Sequence, residues 1–453
     1  MRRKTGLVIG ACVALALAGT ASAVALTGNG DSPVGIWHEA PAVPRTPVAA
    51  QGKAPAATTS PTTGAPRPEA SDRVEKARVS PSAPAPSRQA SAAAEPGRIK
   101  NRPLESATAT GRQRVGELLP VRKVLEYLTG PKQEKFHYPG ASYVKLHFDR
   151  LDMLPGDYLT VSNPAKTESY RYEATEDPRW AMSITGDTAV VTMHRAANPL
   201  GLGDLLGNLG VGVDRVAKGY KRSPAAPGRE ESVCGADTSS DAVCYQSADP
   251  VAYTKSKAIA RLLINGTELC TGWRVGPNNR MITNNHCLTS TGEAYDTEVW
   301  FNYQCAKCGG MDVFKPTKVW GDKVIATDKT LDFTLFTVDG FAAIEKFGYL
   351  TLDTARPARG QELYVPQHPA GEPTRIAGAK GEKAGNCAVE NPDYTGYAPH
   401  SDVSYYCDTA GGSSGSPVLS RRTNKVVALH HFGGCPNSGV RGDLLAAKLR
   451  TYL

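Results

Sequence analysis

Beyond its first residues, this sequence of 453 residues has no apolar segment long enough to cross a membrane. It also lacks a strong excess of one charge, since the net charge is only +8 over the whole chain. A net charge this small for the length of the chain supports solubility and does not indicate a nucleic-acid-binding protein. Cys305-Ala306-Lys307-Cys308 has neither a second CxxC nor a His pair to accompany it, which argues against a zinc or redox site. We therefore expect no metal, no cofactor and no nucleic-acid partner.

The first residues are typical of a secretory signal peptide. Basic residues at positions 2–4 precede an apolar run at 7–18 that is too short to span a bilayer. The run leads into Ala21-Ser22-Ala23, a small-residue cleavage pattern. We predict that residues 1–23 are removed and that the protein is secreted, extracellular and without membrane contact afterwards. A retained anchor helix is the alternative.

Residues 24–110 are rich in Ala, Pro, Ser and Thr and contain too few apolar residues to build a core. We predict a disordered, fairly extended linker. Scattered basic residues such as Arg67, Arg73 and Arg88 suggest contact with cell-wall or other extracellular polymers, but a solvated spacer is the simpler explanation.

Residues 111–222 return to an ordinary composition and contain short alternating segments, among them 141–148, 157–162 and 188–194. Turn signals such as Leu154-Pro155-Gly156-Asp157 bound these segments. Strands of this length and spacing indicate an antiparallel β-sandwich.

The role of this sandwich is open between two possibilities. It contains no catalytic constellation, and His147 and His194 fall on strands, where they are expected to be sheet-face residues. The sandwich could be a retained module that binds substrate or cell wall, or a pro-domain that chaperones and masks the following domain of a zymogen. Residues 223–231 form a connector, and the basic residues Lys221 and Arg229 make it a candidate processing site.

Late in the chain, Gly411-Gly412-Ser413-Ser414-Gly415-Ser416-Pro417 describes a sharp turn that presents a serine. Glycine permits backbone angles that other residues avoid, so that neighbouring N–H groups can point at one site. N–H groups arranged in this way can stabilise an oxyanion. On its own, the segment could equally be a Gly/Ser-rich surface loop.

An activated serine needs a base within hydrogen-bond reach and a third group that orients the base. His286 ends an apolar strand-like run, and Asp332 is a single acid within an apolar alternating strand. A lone buried carboxylate is costly unless it has a specific partner. The order His286, Asp332, Ser414 differs from that of α/β-hydrolases and subtilisins, and the serine turn lacks the G-x-S-x-G pattern.

Together with Cys270-Thr271-Gly272, these motifs resemble those of trypsin-like serine proteases of the bacterial glutamyl and lysyl endopeptidase branch. The resemblance covers residues 232–453. It implies that Ser414 is the nucleophile, His286 the general base and then acid, and Asp332 the residue that holds the imidazole tautomer.

The same resemblance implies an oxyanion hole formed by the N–H groups of Gly412 and Ser414, and polypeptide substrates. Short strands separated by Gly and Pro turns suit two antiparallel β-barrels, with the His and Asp in the first and the Ser in the second. The predicted fold class is all-β: a double antiparallel β-barrel protease domain preceded by a β-sandwich module and a disordered linker. The predicted boundaries are a signal peptide at 1–23, a linker at 24–110, a sandwich accessory or pro-domain at 111–222, a connector at 223–231 and the protease domain at 232–453.

The chain has ten cysteines, and Cys12 lies in the signal peptide, which leaves an odd number in an exported protein, where disulfides are the default. Cys270 and Cys287 bracket the strand that leads to His286, so we predict that they pair and fix its loop. Cys305 is left over. The other predicted pairs, of which the first two are implied by the resemblance to lysyl endopeptidases, are Cys234–Cys435, Cys244–Cys308 and Cys387–Cys407.

The resemblance also points to a substrate pocket. Asp408 stands six residues before Ser414, where trypsin-like enzymes selective for Arg and Lys carry an acid, and Thr409 follows it. His431 occupies the place where glutamyl endopeptidases carry a carboxylate-binding histidine. We expect a weak preference for a basic residue at P1, with glutamate as the rival.

Ser413 stands where pancreatic relatives carry an aspartate that pairs with a newly freed N-terminus. Its identity argues against that zymogen switch. We predict a secreted serine endopeptidase that forms an acyl-enzyme. The alternative is a secreted surface-binding protein whose protease-like domain is weakly active or inactive.

Overall fold

The computed structural model describes residues 37–38, 111–126, 131–173, 180–195, 209–221, 233–378 and 387–453. The predicted signal peptide and connector, and nearly all of the predicted linker, lie outside these ranges. In the described part of the chain, no helix combines the length and the apolar character needed to cross a bilayer.

The strands before residue 233 are β1 (Trp37–His38), β2 (Gln113–Arg114), β3 (Gly116–Glu126), β4 (Gln133–His137), β5 (Tyr143–Asp152), β6 (Tyr158–Ser162), β7 (Ser169–Glu173), β8 (Ile184–Thr185), β9 (Thr188–His194) and β10 (Gly210–Gly219). Two antiparallel four-stranded sheets, β3-β10-β5-β8 and β4-β9-β6-β7, enclose one apolar core. Alternation along the strands supplies that core, with side chains such as Leu146, Val161 and Val191 turned inward. The predicted β-sandwich is confirmed.

The later strands are β11 (Ser240–Asp241), β12 (Ile259–Ile264), β13 (Glu268–Arg274), β14 (Met281–Thr283), β15 (Thr297–Phe301), β16 (Val313–Phe314), β17 (Thr317–Asp328), β18 (Phe333–Val338), β19 (Leu363–Gln367), β20 (Arg375–Ala377), β21 (Val389–Tyr394), β22 (Asp402–Tyr405), β23 (Pro417–Ser420), β24 (Val426–Phe432) and β25 (Asn437–Arg441). The α-helices are α1 (Tyr245–Ala248), α2 (Pro250–Ser256), α3 (Thr291–Tyr295) and α4 (Gly442–Leu449). Short 3-10 helices lie at Ala242–Cys244, Phe341–Ala343, Glu345–Phe347 and Pro369–Gly371.

These strands form two antiparallel barrels. The first runs β12-β15-β17-β18-β14-β13 and closes because β12 also pairs with β13. The second runs β19-β23-β24-β25-β22-β21, and a bridge between Glu362 and Ala388 joins its end strands. Each barrel has its own apolar core, and a further cluster that includes Trp273, Leu429 and Leu445 lies between them. The predicted all-β double barrel is confirmed.

Burial on both faces explains why the barrel strands do not alternate cleanly. Every residue of β12 and of β18 is buried, because one face points into the barrel and the other is covered by neighbouring structure. Such strands read as continuous apolar runs. Asp332 was predicted to lie within the strand that is now β18. It instead directly precedes β18, in a turn where its φ is 39°.

Residues 111–115, which we call the covering segment, belong to the first barrel and not to the sandwich. Its strand β2 pairs antiparallel with β13, Gln113 opposite Leu269 and Arg114 opposite Glu268. The N–H of Val115 continues this edge by donating to Thr267 O at 2.8 Å. The sandwich itself begins with β3.

The sandwich packs directly on the first barrel. Lys145 of β5 places Nζ 2.5 Å from Oε1 of Glu298 of β15, and both side chains are fully buried. Around this ion pair, Tyr143 of the sandwich packs in one apolar cluster with Trp300 and Leu263 of the barrel. The two units therefore share a core.

Four disulfides lie in the described part of the chain from residue 233 onward. Their sulfur–sulfur distances are 1.97 Å for Cys234–Cys435, 1.95 Å for Cys244–Cys308, 2.03 Å for Cys270–Cys287 and 2.18 Å for Cys387–Cys407. Cys305 is buried and belongs to none of them.

Candidate active site

The serine turn lies between β22 and β23 and is fixed to the first barrel by backbone contacts. Thr271 of β13 donates its N–H to Ser414 O at 2.8 Å and its hydroxyl to Gly412 O at 2.9 Å. Because these two bonds join the barrels at the turn, the nucleophile candidate sits at their interface. In the described ranges, the N–H groups of Gly412 and Ser414 donate to no backbone acceptor, so both remain available.

Two glycines of this turn have conformations that exclude a side chain. Gly412 has φ of 91° and Gly415 has φ of 86°, in the left-handed region. A β-carbon added at Gly415 would collide with the carbonyl oxygen of Thr271 and lie 2.5 Å from Oγ1 of Thr283. Glycine is therefore needed here for space as well as for backbone angle.

His286 and Asp332 meet at one end of the first barrel. Nδ1 of His286 lies 2.8 Å from Oδ2 of Asp332, and the N–H of His286 donates to Oδ1 at 3.0 Å. Asn284 supports the same turn by donating its side-chain amide to Asp332 O at 2.9 Å. Both carboxylate oxygens are thus engaged, which fixes the imidazole ring with Nδ1 toward the acid.

Burial by itself would raise the pKa of Asp332, but hydrogen bonds from His286 and His431 and the proximity of both rings lower it to about 2. The carboxylate therefore stays charged across the pH range in which proteins are ordinarily folded. A permanently ionised partner keeps Nδ1 of His286 protonated and leaves Nε2 as the basic nitrogen.

The disulfide Cys270–Cys287 holds the loop that carries His286 against β13. The sulfur atoms and the imidazole lie within 4.8 Å of one another, a spacing that could suit a metal ion. The two sulfurs are bonded to each other, however, and only thiolates bind metals strongly. This cluster is better explained as a clamp on the loop, which also brings Ser414 O to 3.9 Å from Cys287 Sγ.

In the described part of the chain, Nε2 of His286 is buried and has no hydrogen-bond partner, so it does not bond to Ser414. The covering segment lies over this nitrogen. A β-carbon added at Gly111 would lie 2.9 Å from Cδ2 and 3.2 Å from Nε2 of the His286 ring. Two residues on, the side-chain amide of Gln113 occupies the space in front of Gly411.

Arg112 anchors the covering segment in this position. Its guanidinium forms ion pairs of 2.8 Å with Glu268 and with Glu293, and Nε donates to His286 O at 3.1 Å. Arg112 is buried. Burial lowers its pKa, but the two glutamates outweigh that effect and the pKa is raised overall. The segment is therefore held by charge-assisted hydrogen bonds from Arg112 to two glutamates.

His431, expected in the substrate pocket, bridges two carboxylates. Its Nδ1 lies 3.2 Å from Oδ2 of Asp332, and its Nε2 lies 2.6 Å from Oδ2 of Asp402. The ring is buried. Neither nitrogen is offered to a substrate in this arrangement.

Asp408 and Thr409 precede the serine turn, and both are buried. Oδ2 of Asp408 accepts from the N–H of Thr238 at 2.8 Å and from its hydroxyl at 2.6 Å. Thr409 donates its hydroxyl to the side chain of Asn437 at 3.2 Å. One carboxylate oxygen of Asp408 therefore already accepts two hydrogen bonds from Thr238, which lies before the first barrel strand.

Sequence reasoning did not single out Asp402, His430 or the covering segment. Adjacent residues of a strand point to opposite faces. Only one of the two neighbouring histidines His430 and His431 can therefore face Asp332. The other, His430, bonds through Nδ1 to the hydroxyl of Tyr405 at 2.8 Å. Burial lowers the pKa of His430 to about 3. The corresponding signal for Asp402 was that it is the single charged residue of the short strand β22.

The chain is similar to several known proteins. A family model described as a trypsin-like peptidase domain matches residues 270–429. A secreted RxLR effector protein 73 of Plasmopara viticola is 33% identical over 325 residues, which cover 68% of this chain and 79% of that protein. An uncharacterized protein y4fB of Sinorhizobium fredii is 29% identical over 192 residues, 39% of this chain but only 28% of its own length.

Among solved structures, a Glu endopeptidase in complex with MPD is similar over 49% of this chain and 98% of its own, with 18% identity and a TM-score of 0.35. A thermostable serine protease AL20 from an extremophilic microorganism is similar over 44% of this chain and 96% of its own, with 15% identity and a TM-score of 0.33.

Proposed function

The chain belongs to the trypsin-like serine proteases, and from this premise we propose that it is a secreted serine endopeptidase that works through an acyl-enzyme. The observation that carries the proposal is the 2.8 Å bond between His286 and Asp332 beside the turn that bears Ser414. A base oriented by an ionised acid next to a serine on a glycine turn is an arrangement suited to acyl transfer.

In the proposed reaction, Oγ of Ser414 attacks the carbonyl carbon of the scissile peptide bond while Nε2 of His286 accepts the hydroxyl proton. The negative charge that develops on the carbonyl oxygen is stabilised by the N–H groups of Gly412 and Ser414. His286 then gives the proton to the leaving amine. In the second half, His286 takes a proton from water, whose oxygen attacks the ester carbonyl. The bond to Oγ of Ser414 then breaks, and His286 returns the proton to that oxygen.

We propose further that the described form is latent. Support comes from the covering segment, which lies against the His286 ring through Gly111 and in front of Gly411 through Gln113. A substrate carbonyl must reach the same space between the base and the glycine turn. The covering segment therefore has to leave before turnover, and cutting in the connector at 223–231 is one route that would free the sandwich to carry it away.

For the residue at P1 we propose a basic side chain. The signal for glutamate was His431, and both of its nitrogens are occupied by Asp332 and Asp402. Asp408 remains as the acid beside the nucleophile turn. Cleavage of a peptide library should therefore enrich Arg and Lys at P1 and lose that enrichment in Asp408→Ser. Enrichment of Glu at P1 in place of Arg and Lys would contradict this preference.

The proposed activity is tested with Arg112→Glu, in which the covering segment is repelled by Glu268 and Glu293. We expect this variant to hydrolyse a fluorescent protein substrate. Adding Ser414→Ala should abolish turnover, whereas adding Ser256→Ala, a hydroxyl on helix α2, should leave it unchanged. Turnover that survives Ser414→Ala would refute the mechanism. If neither Arg112→Glu nor the unchanged chain hydrolyses the substrate, while both bind cell-wall polymer, the surface-binding alternative would be favoured.

A further inference from the structure

We propose that His431 and Asp402 form a buried charge pair that positions the triad, with His431 as an imidazolium that fixes Asp332 while Asp402 holds the far side of its ring. This inference rests on the proposed function. Neither residue touches the substrate in this scheme, and both act through Asp332.

The contacts themselves require a doubly protonated ring. Nδ1 of His431 faces Oδ2 of Asp332 at 3.2 Å, and Nε2 faces Oδ2 of Asp402 at 2.6 Å. An ionised carboxylate can only accept hydrogen bonds, and a neutral imidazole can donate only one. Two donated bonds to two carboxylates therefore mean that His431 carries a positive charge.

Asp402 is built into the fold as an acceptor. Besides His431, its Oδ2 accepts from the hydroxyl of Ser438 at 2.8 Å, and its Oδ1 accepts from the hydroxyl of Ser401 at 2.8 Å. Asp402 and the His431 side chain are buried, so the ion pair is shielded from water and salt. A buried cation without such a partner would cost several kcal/mol.

The groups around His431 are consistent with its charge. Asp332 and Asp402 are the anions that face it, Tyr397 sets its ring edge-on at 5.5 Å, and His286 lies beyond Asp332. His430, its neighbour in the strand, is neutral because burial lowers its pKa to about 3. Burial would also lower the pKa of His431, but hydrogen bonds to Asp332 and Asp402 and their charges raise it to about 9.

The consequence concerns the base, because Oδ2 of Asp332 accepts from His286 and His431 at once. The cation of His431 offsets part of the negative charge that His286 experiences. The cation of His431 therefore weakens the attraction that Asp332 exerts on a proton at Nε2 of His286. The contact also gives Asp332 a second anchor, which limits rotation of its carboxylate.

The test uses the full-length chain with Arg112→Glu, and compares it with the same chain carrying His431→Gln. The glutamine can still donate one hydrogen bond to Asp332 but carries no charge. We expect the acidic limb of the kcat/KM profile to move up by about one pH unit, so that activity falls about tenfold on that limb and little on the alkaline side. The matched control is His137→Gln, which removes a His–Asp contact of 3.6 Å in the sandwich and should not move the limb.

A second readout does not need activity. In nitrogen NMR of histidine-labelled protein at about pH 7.5, the resonances lost in His431→Gln should show both ring nitrogens protonated. Asp402→Asn should return one of these nitrogens to the unprotonated state. Two protonated nitrogens together with a shifted limb support the proposal. A neutral His431, or an equal loss of activity at every pH in His431→Gln, overturns it. If the chain with Arg112→Glu shows no turnover at any pH, the proposed function is refuted. The NMR measurement still decides the charge of His431 in that case.

Discussion

At the residue scale, the carboxylate of Asp332 is the point where most of the site converges. It accepts the backbone N–H and the ring of His286 and the ring of His431, while the backbone around it is held in a turn with φ of 39°. Its charge and its orientation are therefore set by neighbours from both barrels. This is why the site depends on the packing of the two barrels and not on one loop.

The charge of His431 predicts how stability depends on pH. Its pKa is raised to about 9 in the folded protein, above the ordinary value of 6.5, so the stabilising contribution is fully present below about pH 6.5. It is lost as the pH rises through about 9. We expect the free energy of unfolding to fall on the order of 2 kcal/mol over this window, and to fall much less in His431→Gln. Denaturant titrations at each pH measure this, and an equal fall in both proteins would contradict it.

Gly415 gives a second prediction at this scale. Gly415→Ala adds a collision with Thr271 to the cost of a left-handed backbone, and should destabilise by about 3 kcal/mol or more. The control is Gly360→Ala, at φ of 75° with nothing within 4 Å, which should cost only about 1 kcal/mol. Thermal or denaturant unfolding compares the two. Equal losses would mean that the turn has room for a side chain.

At the scale of elements, β2 is the decisive one. Two residues, Gln113 and Arg114, pair with β13 across more than 150 positions of sequence, and Gly111 just before them lies against the ring of His286. A short polar strand at the edge of a barrel buries little apolar surface, so it is stabilised mainly by the side-chain contacts next to it. Arg112 with its two glutamates is the strongest of these anchors.

Charge reversal at Arg112 should therefore expose the site. We expect Arg112→Glu to raise the rate of labelling by a small serine-directed phosphonate about tenfold or more, since two buried charge-assisted contacts become repulsive. Arg122→Glu, the same change at an exposed position of β3, should leave the rate unchanged. Equal labelling of all three proteins would show that the covering segment does not limit access.

The sequence predicted elements well wherever burial leaves a pattern. Alternation predicted strands at 141–148 and 188–194, and the structure has strands at 143–152 and 188–194. The strand β2 could not be predicted, because Gln113 and Arg114 carry no apolar period and their pairing is non-local. For the same reason the sandwich was predicted to start at 111, although residues 111–115 pair with the first barrel.

Within the site, the motifs identified His286, Asp332 and Ser414 as candidates, because a glycine turn and an isolated acid can be recognised from neighbouring residues alone. What the motifs could not give was the direction of a side chain. His431 was expected in the pocket, but its position on β24 turns it toward Asp332 and Asp402. Which of two adjacent histidines faces which side depends on strand register, and register is decided by pairing with distant strands.

At the scale of the whole molecule, the sandwich and the first barrel are joined by a buried ion pair and an aromatic cluster. Glu298 receives hydrogen bonds from Lys145, from Trp300 at 2.7 Å and from Ser183 at 2.6 Å. Two of these three partners come from the sandwich. Separation of the sandwich would therefore leave a carboxylate of the barrel without most of its donors.

This predicts a large effect for Lys145→Ala. The variant removes the buried cation that is hydrogen-bonded to Glu298, and we expect a loss of about 3–5 kcal/mol in the free energy of unfolding. Lys123→Ala breaks an exposed pair with Glu134 within the sandwich and should have little effect. Denaturant midpoints measure both. A small effect in Lys145→Ala would indicate that the sandwich is only loosely attached.

We propose that this chain carries a reactive serine nucleophile beneath its own covering segment. The most direct measurement is the mass of the adduct that a serine-directed phosphonate forms with Arg112→Glu, mapped to one residue by peptide fragmentation. We expect a single adduct on Ser414, which forms much more slowly in the chain without Arg112→Glu and is absent when His286→Ala is added. No adduct in Arg112→Glu, or an adduct on a serine outside the turn, would contradict it.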